Sequence, residues 1–222
     1  MTLTPAAPHP QRNADVLVAA GFVDILVDIL KLRTKQAEIY FPLALGFFES
    51  FIHNGVRDAF QAMVNAKGLD VLADLIAFEV HRSLEAAQNQ GGLRTDYKTK
   101  ITDYQIPFDS QQTLRSLLKF VSHMYGHNIG TDDRLLRNFI DSPPLLEALR
   151  TIFTNASVFG SNVWSGAMNI LSAFIHNEPT SYQVIAEAGL SKGFLEAVTQ
   201  QPITVSDVVV ENADREDEDE EL

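Results

Sequence analysis

Apolar residues recur at helical spacing along nearly the whole of this chain. In "GFVDILVDILKL", Phe22, Ile25, Leu26, Ile29 and Leu30 fall at i, i+3, i+4, i+7 and i+8, which predicts a helix with one broad apolar stripe. "TLRSLLKFVSHMY" does the same with Leu114, Leu117, Leu118, Val121 and Met124. No stretch of comparable length alternates with period two; the short "ITVSDVVV" (Ile203–Val210) comes nearest. The pattern predicts an all-α protein.

Breaks in the pattern divide the chain. Residues 1–13 carry three prolines and few large apolar residues, and read as a flexible lead-in. A first helical block is expected over 14–87 and a second over 113–205. Between them, 88–112 is polar, contains paired glycines and a proline, lacks a helical stripe, and reads as a long loop or insertion. Residues 206–222 turn acidic and are expected to be disordered, because self-repulsion and scarce apolar surface leave nothing to offset the ordering entropy.

The two blocks share a text. "FIHN" occurs at 51–54 and again at 174–177. Each copy ends an apolar helix and is followed by a turn, a short second helix, a glycine followed by leucine, and a third apolar helix. The glycines are Gly68 and Gly189; "ADVLVAAGFVDILVDIL" places Gly21 at the same step, and "LLRNFIDSPPLLEALRTIF" replaces it with Pro143 and Pro144. Phe120 and His123 of "LLKFVSHMYGHN" echo the Phe and His of the motif. Gly21 to Gly68 is 47 residues and Pro144 to Gly189 is 45; Gly68 to Pro144 is 76, longer by about the polar insertion. A period of roughly 40–47 residues with two or three helices per unit is the mark of HEAT and armadillo arrays. A glycine in the left-handed conformation would end one helix and start the next at an angle, and Pro179 fits a first helical turn. The expected architecture is an armadillo/HEAT-like α-solenoid.

On that basis FIHN is a repeat landmark: Phe and Ile face inward, His sits near a helix C-terminus where the dipole favours a cation, and Asn stops the helix. His53 and His176 are then structural positions. His123 and His127 have the i, i+4 spacing of a metal pair, but no glutamate follows the first, Gly126 is placed to end the helix, and no third ligand is in view. Asp24/Asp28 and Asp70/Asp74 are i, i+4 carboxylate pairs opposite an apolar stripe, which reads as a solvated face; acid/base work needs environments that separate their pKa values. Trp164 is read as core packing. No phosphate-binding glycine loop, nucleophile elbow or dinucleotide fingerprint occurs. No catalytic, cofactor or metal site is assigned.

Composition narrows the function classes further. The 222 residues, 45% hydrophobic, suffice for a substantial core. Cysteine is absent, which excludes disulfides, thiolate metal sites and cysteine nucleophiles and fits a cytoplasmic or nuclear protein. Of the net charge of −12, Glu211–Leu222 holds −7, from eight acidic residues and one basic. Nothing basic marks a nucleic-acid footprint. The longest apolar run, Val16–Leu30, is too short for a membrane and is broken by Asp24 and Asp28. The N-terminus does not read as a signal peptide, so the glycosylation sequon at Asn155-Ala156-Ser157 reads as chance. The acidic end either binds basic proteins, such as histones or ribosomal proteins, or keeps the terminus soluble.

The block from Leu135 to Val198, above all "IHNEPTSY" followed by "VIAEAGLSKGFLEAV", resembles the armadillo-like N-terminal region of the giant HECT-type E3 ubiquitin ligases, the HUWE and fungal TOM group. The resemblance is good over some sixty residues and looser from Asn13 onward. It implies a non-catalytic protein-interaction scaffold serving protein ubiquitination and substrate recruitment. That family works through a thioester on a cysteine in a separate catalytic domain, and this chain has no cysteine. A stand-alone adaptor or carrier for basic clients is the alternative.

Overall fold

The computed structural model describes residues 10–90, 104–126, 138–139, 141–177, 182–199 and 201–203. Every regular element among them is helical: α1 (Pro10–Ala19), α2 (Phe22–Leu30), a short 3-10 helix (Lys35–Tyr40), α3 (Phe41–His53), α4 (Arg57–Asn65), α5 (Gly68–Gln90), α6 (Phe108–Gly126), α7 (Pro143–Thr154), α8 (Ala156–Phe159), α9 (Ser161–Asn177), α10 (Tyr182–Glu187) and α11 (Leu190–Thr199). The all-α reading holds.

Several boundaries differ from the expected ones. Helix α1 starts at Pro10, inside the expected lead-in, because proline at a first helical position gives up no hydrogen bond the helix could have made. The expected loop over 88–112 is helical at both ends: α5 runs on to Gln90 and α6 begins at Phe108. Residues 91–103, the acidic stretch 206–222, Pro179 and His127 lie outside the described residues.

Helices α2, α5, α7 and α11 pack side by side in that order, each on the next, and α3, α6 and α9 form a second succession behind them. Rings tie the second row together: Phe48 of α3 lies 6.0 Å from Phe120 of α6, and Tyr125 of α6 meets Phe174 of α9 edge-on at 4.8 Å. Close packing of α9 on α6 depends on Gly166, where a Cβ would stand 3.2 Å from the Cβ of Leu118. The expected stripe of α6 is fully buried at Leu114, Leu117, Leu118, Val121 and Met124. That of α2 is rotated. Val23, Leu26, Val27 and Leu30 are inside, Phe22 and Ile29 are half-buried and Ile25 is exposed. The segment is apolar on both sides of the Asp24–Asp28 face, so its sequence alone left the register open; contact with α3, α4 and α5 chooses it.

The first FIHN closes α3 as expected. Gly55 adopts φ 67, its N–H donates to the Ile52 carbonyl at 3.0 Å, and Val56 N–H reaches back to the Phe51 carbonyl at 2.9 Å. This is a Schellman end, with Val56 and Phe51 both buried. Asn54 Nδ2 donates to the Ser50 carbonyl at 2.7 Å, which stops the helix. In the second copy Phe174 is buried, but Ile175 is 42% exposed, contrary to the expected inward packing. His53 and His176 both sit exposed in the last turn of their helices.

At the steps into α2 and α11 the left-handed residue is glycine, Gly21 (φ 80) and Gly189 (φ 73), as expected. The step into α5 is different: Lys67 takes φ 57, and Gly68 is already helical. One extra residue shifts the glycine off the turn. Gly68 is retained for space, since a Cβ there would lie 2.6 Å from Met63 Cγ and 2.9 Å from the Met63 carbonyl oxygen. Pro143 and Pro144 open α7, where a first turn accepts them.

Candidate interaction surface

The row α2–α5–α7–α11 presents a surface indented twice. Between α5 and α7 lies a groove of about 610 Å³ with Ala77, Phe78, Val80, Leu84 and Ala148 along its apolar part and Arg33, Asp74, His81 and Glu147 at its edge. Between α7 and α11 lies a second cavity of about 360 Å³, lined by Arg150, Thr154, Asn155, Gly189, Lys192, Gly193 and Glu196. Thr151 lines both. Along α7, residues 144, 147/148, 151 and 154/155 lie on one helical face, and the two indentations meet at Thr151.

Two cations here pair with carboxylates of their own helices. Arg150 Nη2 donates to both oxygens of Glu147 at 2.6 Å, and Lys192 Nζ stands 3.8 Å from Glu196 Oε1. The Glu196 carboxylate also accepts the Ile203 N–H at 2.9 Å. Arg33 donates to the Leu30 carbonyl at 2.7 Å and lies 5.5 Å over the Phe78 ring. Burial pulls the Arg33 guanidinium below its usual pKa, while the nearby Asp74 and Glu79 carboxylates work against that shift.

The polar end contains an acceptor without a donor. Asn155, 6% exposed, donates through Nδ2 to the Thr151 carbonyl at 3.1 Å, but no described group donates to its Oδ1. Its burial also removes the sequon from the surface. Behind this end, Trp164 stacks on Phe194 of α11 at 5.9 Å and meets Phe153 of α7 edge-on at 6.1 Å, a packing role as expected.

Another charged cluster sits on α5. Arg82 of α5 donates to Glu38 Oε1 at 2.6 Å and to Glu79 Oε2 at 2.5 Å. It thereby ties the 3-10 helix to α5. Burial pushes the Glu79 carboxyl above the usual range; Arg82 opposes this, the Glu38 charge adds to it, and Arg33 opposes it.

The residues weighed in the sequence are distributed as follows. Asp24, Asp28, Asp70 and Asp74 are all exposed, as the solvated-face reading expects; Asp28 pairs with Lys31 at 2.8 Å, and Asp74 borders the groove. His123 meets Glu49 of α3 at 3.2 Å and shares a cavity with His53. No cluster of three histidine, aspartate or glutamate side chains able to hold a metal occurs among the described residues. The indentations themselves were missed in the sequence. Their only local trace is the small and polar spacing along α7 and the Gly189/Gly193 pair.

The profile of a domain of unknown function, DUF913, matches residues 42–221. The chain belongs to the DUF913 family. Relatives bear names that agree with the resemblance read from "IHNEPTSY". An "E3 ubiquitin-protein ligase TOM1-like" of Neurospora crassa is 38% identical over 198 residues, covering 87% of this chain and 5% of its own length. The "E3 ubiquitin-protein ligase ptr1" of Schizosaccharomyces pombe is 34% identical over 197 residues, 89% of this chain and 6% of its own. "E3 ubiquitin-protein ligase UPL2" of Arabidopsis thaliana is 35% identical over 199 residues, 86% and 5% respectively. This DUF913 chain thus spans about a twentieth of these ligases. No solved structure matches it. No helix among the described residues is long and apolar enough to cross a membrane.

Proposed function

We propose that this DUF913 chain is a non-catalytic protein-interaction segment of a HECT-type E3 ubiquitin ligase, built as an armadillo-like α-solenoid, cytoplasmic or nuclear. The observation that carries the reading is the row α2–α5–α7–α11, backed by α3–α6–α9. Three of the front helices follow a left-handed residue and the fourth opens on a proline pair. Stacking of like helices buries a continuous core and leaves a long surface on which a partner can lie. The indentations on either side of α7 mark that surface here, and recruitment of a protein to be ubiquitinated is its role. With no cysteine, the chain can carry no ubiquitin thioester itself.

The test is made in a whole ligase. In the Neurospora relative, the matching region is replaced by this chain, or by this chain carrying Thr151→Arg, which fills the edge that the two indentations share. Loading of ubiquitin on the ligase should be equal in both. Modification of its substrates should fall with Thr151→Arg. Equal substrate modification by both ligases would refute recruitment through this surface.

A further inference from the structure

We propose that Ser142 is a phosphorylation site for a proline-directed protein kinase, and that its phosphate caps the start of α7. The proposal is independent of the indentations beside that helix. It starts from "DSPP", residues 141–144, where a serine directly precedes proline. Thr4-Pro5, outside the described residues, is the other place in the chain where a hydroxyl residue precedes proline.

The local structure presents this serine to an enzyme. Ser142 is the N-cap of α7, followed by Pro143 and Pro144 in the first turn, and its side chain makes no capping hydrogen bond. Its backbone is extended, φ −64 and ψ 113, as a residue before proline prefers. In that conformation a short segment enters a cleft with its hydroxyl foremost. Asp141 and Pro143 are exposed and Ser142 and Pro144 half-buried, whereas Phe139 and Leu145 on either side are buried. Little holds the acceptor down. Proline has no N–H, so Pro143 and Pro144 donate nothing. The Ser142 N–H donates to the Phe139 carbonyl at 3.2 Å, and the Ser142 carbonyl accepts the Leu146 N–H at 3.1 Å. Displacing Ser142 sacrifices those two backbone bonds, a cost within the range of local opening at a helix end.

In the reaction Ser142 Oγ attacks the γ-phosphorus of ATP in line with the β,γ-bridging oxygen. The Oγ–P bond forms and the bond from phosphorus to the bridging oxygen breaks. ADP leaves with that electron pair, and the hydroxyl proton passes to the catalytic carboxylate of the kinase. The product carries about −1.5 to −2 charges at neutral pH. Its oxygens occupy the N-cap, the position from which a side chain accepts the N–H of the third helical residue, here Leu145. They also stand at the positive end of the helix dipole, which no acidic residue of the first turn yet meets. Two carboxylates are near in sequence. Glu147 is engaged by Arg150 at 2.6 Å, and Asp141 is exposed to screening by salt. The new charge therefore strengthens the start of α7.

The experiment uses the full chain carrying Thr4→Ala, alone or combined with Ser142→Ala or Pro143→Ala, and a synthetic peptide of residues 138–148 as the unfolded reference. Each is incubated with a mitogen-activated protein kinase and Mg²⁺–ATP, and mass spectrometry locates the phosphate. The folded Thr4→Ala chain should gain one phosphate, on Ser142. Its rate should be no more than about a hundredfold below that of the peptide, roughly tenfold for each hydrogen bond given up. Ser142→Ala and Pro143→Ala should each abolish that phosphate. Ser142→Ala should melt with the parent, since no capping bond is lost. The phosphorylated chain should melt about 1–3 °C higher, the shift expected for a charge favourably placed at a helix N-terminus in a chain of this size. No phosphate on Ser142 of the folded chain while the peptide is modified, modification of neither, or uptake unaffected by Pro143→Ala would overturn the kinase site. A phosphorylated chain that melts at or below the parent would overturn the cap.

Discussion

Removing the Arg82 guanidinium gives the sharpest test of how the 3-10 helix is held to α5. Glu79 and Glu38 are 2% and 9% exposed at their side chains, and Arg82, 31% exposed, is hydrogen-bonded to both. Arg82→Met keeps most of the packing of the stem and leaves two nearly buried carboxylates with only Arg33 nearby. Breaking a buried pair costs roughly 3–5 kcal/mol. Partial exposure of Arg82 places the expected loss near the lower end, about 3 kcal/mol. For a chain of this size that is a fall in melting midpoint of about 6–12 °C. Glu79→Gln should cost far less, since burial already favours the uncharged form. Combined with Arg82→Met it should recover part of the loss, because one stranded charge is gone.

The pH dependence has a fixed sign. Glu79 has a folded-state pKa raised above its unfolded value, so it binds its proton more tightly when folded. The stability this gives is fully present below the unfolded carboxyl range and is lost as pH rises through the folded pKa. Without Arg82 the pKa rises further. The gap between parent and Arg82→Met should therefore be widest at neutral pH and narrow on acidification. Urea melts of the parent, both single variants and the double variant at several pH values measure all of this. A loss below about 1 kcal/mol, or a gap that stays constant with pH, would show that the two carboxylates do not depend on the guanidinium.

Other outcomes follow from the same structure. Lys67→Gly should raise stability by up to about 1 kcal/mol, because glycine accepts φ 57 without strain. Gly68→Ala, one residue on, should lower it by about 1–3 kcal/mol through the contacts with Met63, and thermal melts of the two variants should move in opposite directions. Incubated with ubiquitin-activating and -conjugating enzymes, the chain should acquire no reducible ubiquitin adduct on a non-reducing gel, since it has no cysteine. Deleting residues 211–222, which carry −7, should weaken binding of a lysine-rich peptide at low ionic strength and leave it unchanged well above about 0.1 M salt. Equal affinities at low salt would reduce that segment to a solubilising role.

Much of this protein is legible in the sequence because its elements are local. Leucine and valine at i, i+3, i+4 determine the α6 face without outside help, and "FIHNG" closes α3 through bonds that span only five residues. The proline pair and two of the three glycines mark helix starts for equally local reasons, backbone conformation and a missing N–H. Family membership also follows from residues read in order. Other features depend on which helix lies beside which. The register of α2 was ambiguous until α3, α4 and α5 covered one of its two apolar sides. Gly68 reads as a turn residue until Met63 is seen to occupy the space of its side chain. Glu38 and Arg82, 44 positions apart, meet only because the 3-10 helix packs near α5. The indentations beside α7 are the extreme case. Phe78, Thr151 and Gly193 come from three different helices, so no window of sequence contains the surface they line, although the Glu147–Arg150 and Lys192–Glu196 pairs on it are each local. Local propensity determines a helix and its apolar face, but burial, charge balance and the space between helices exist only once the helices are packed.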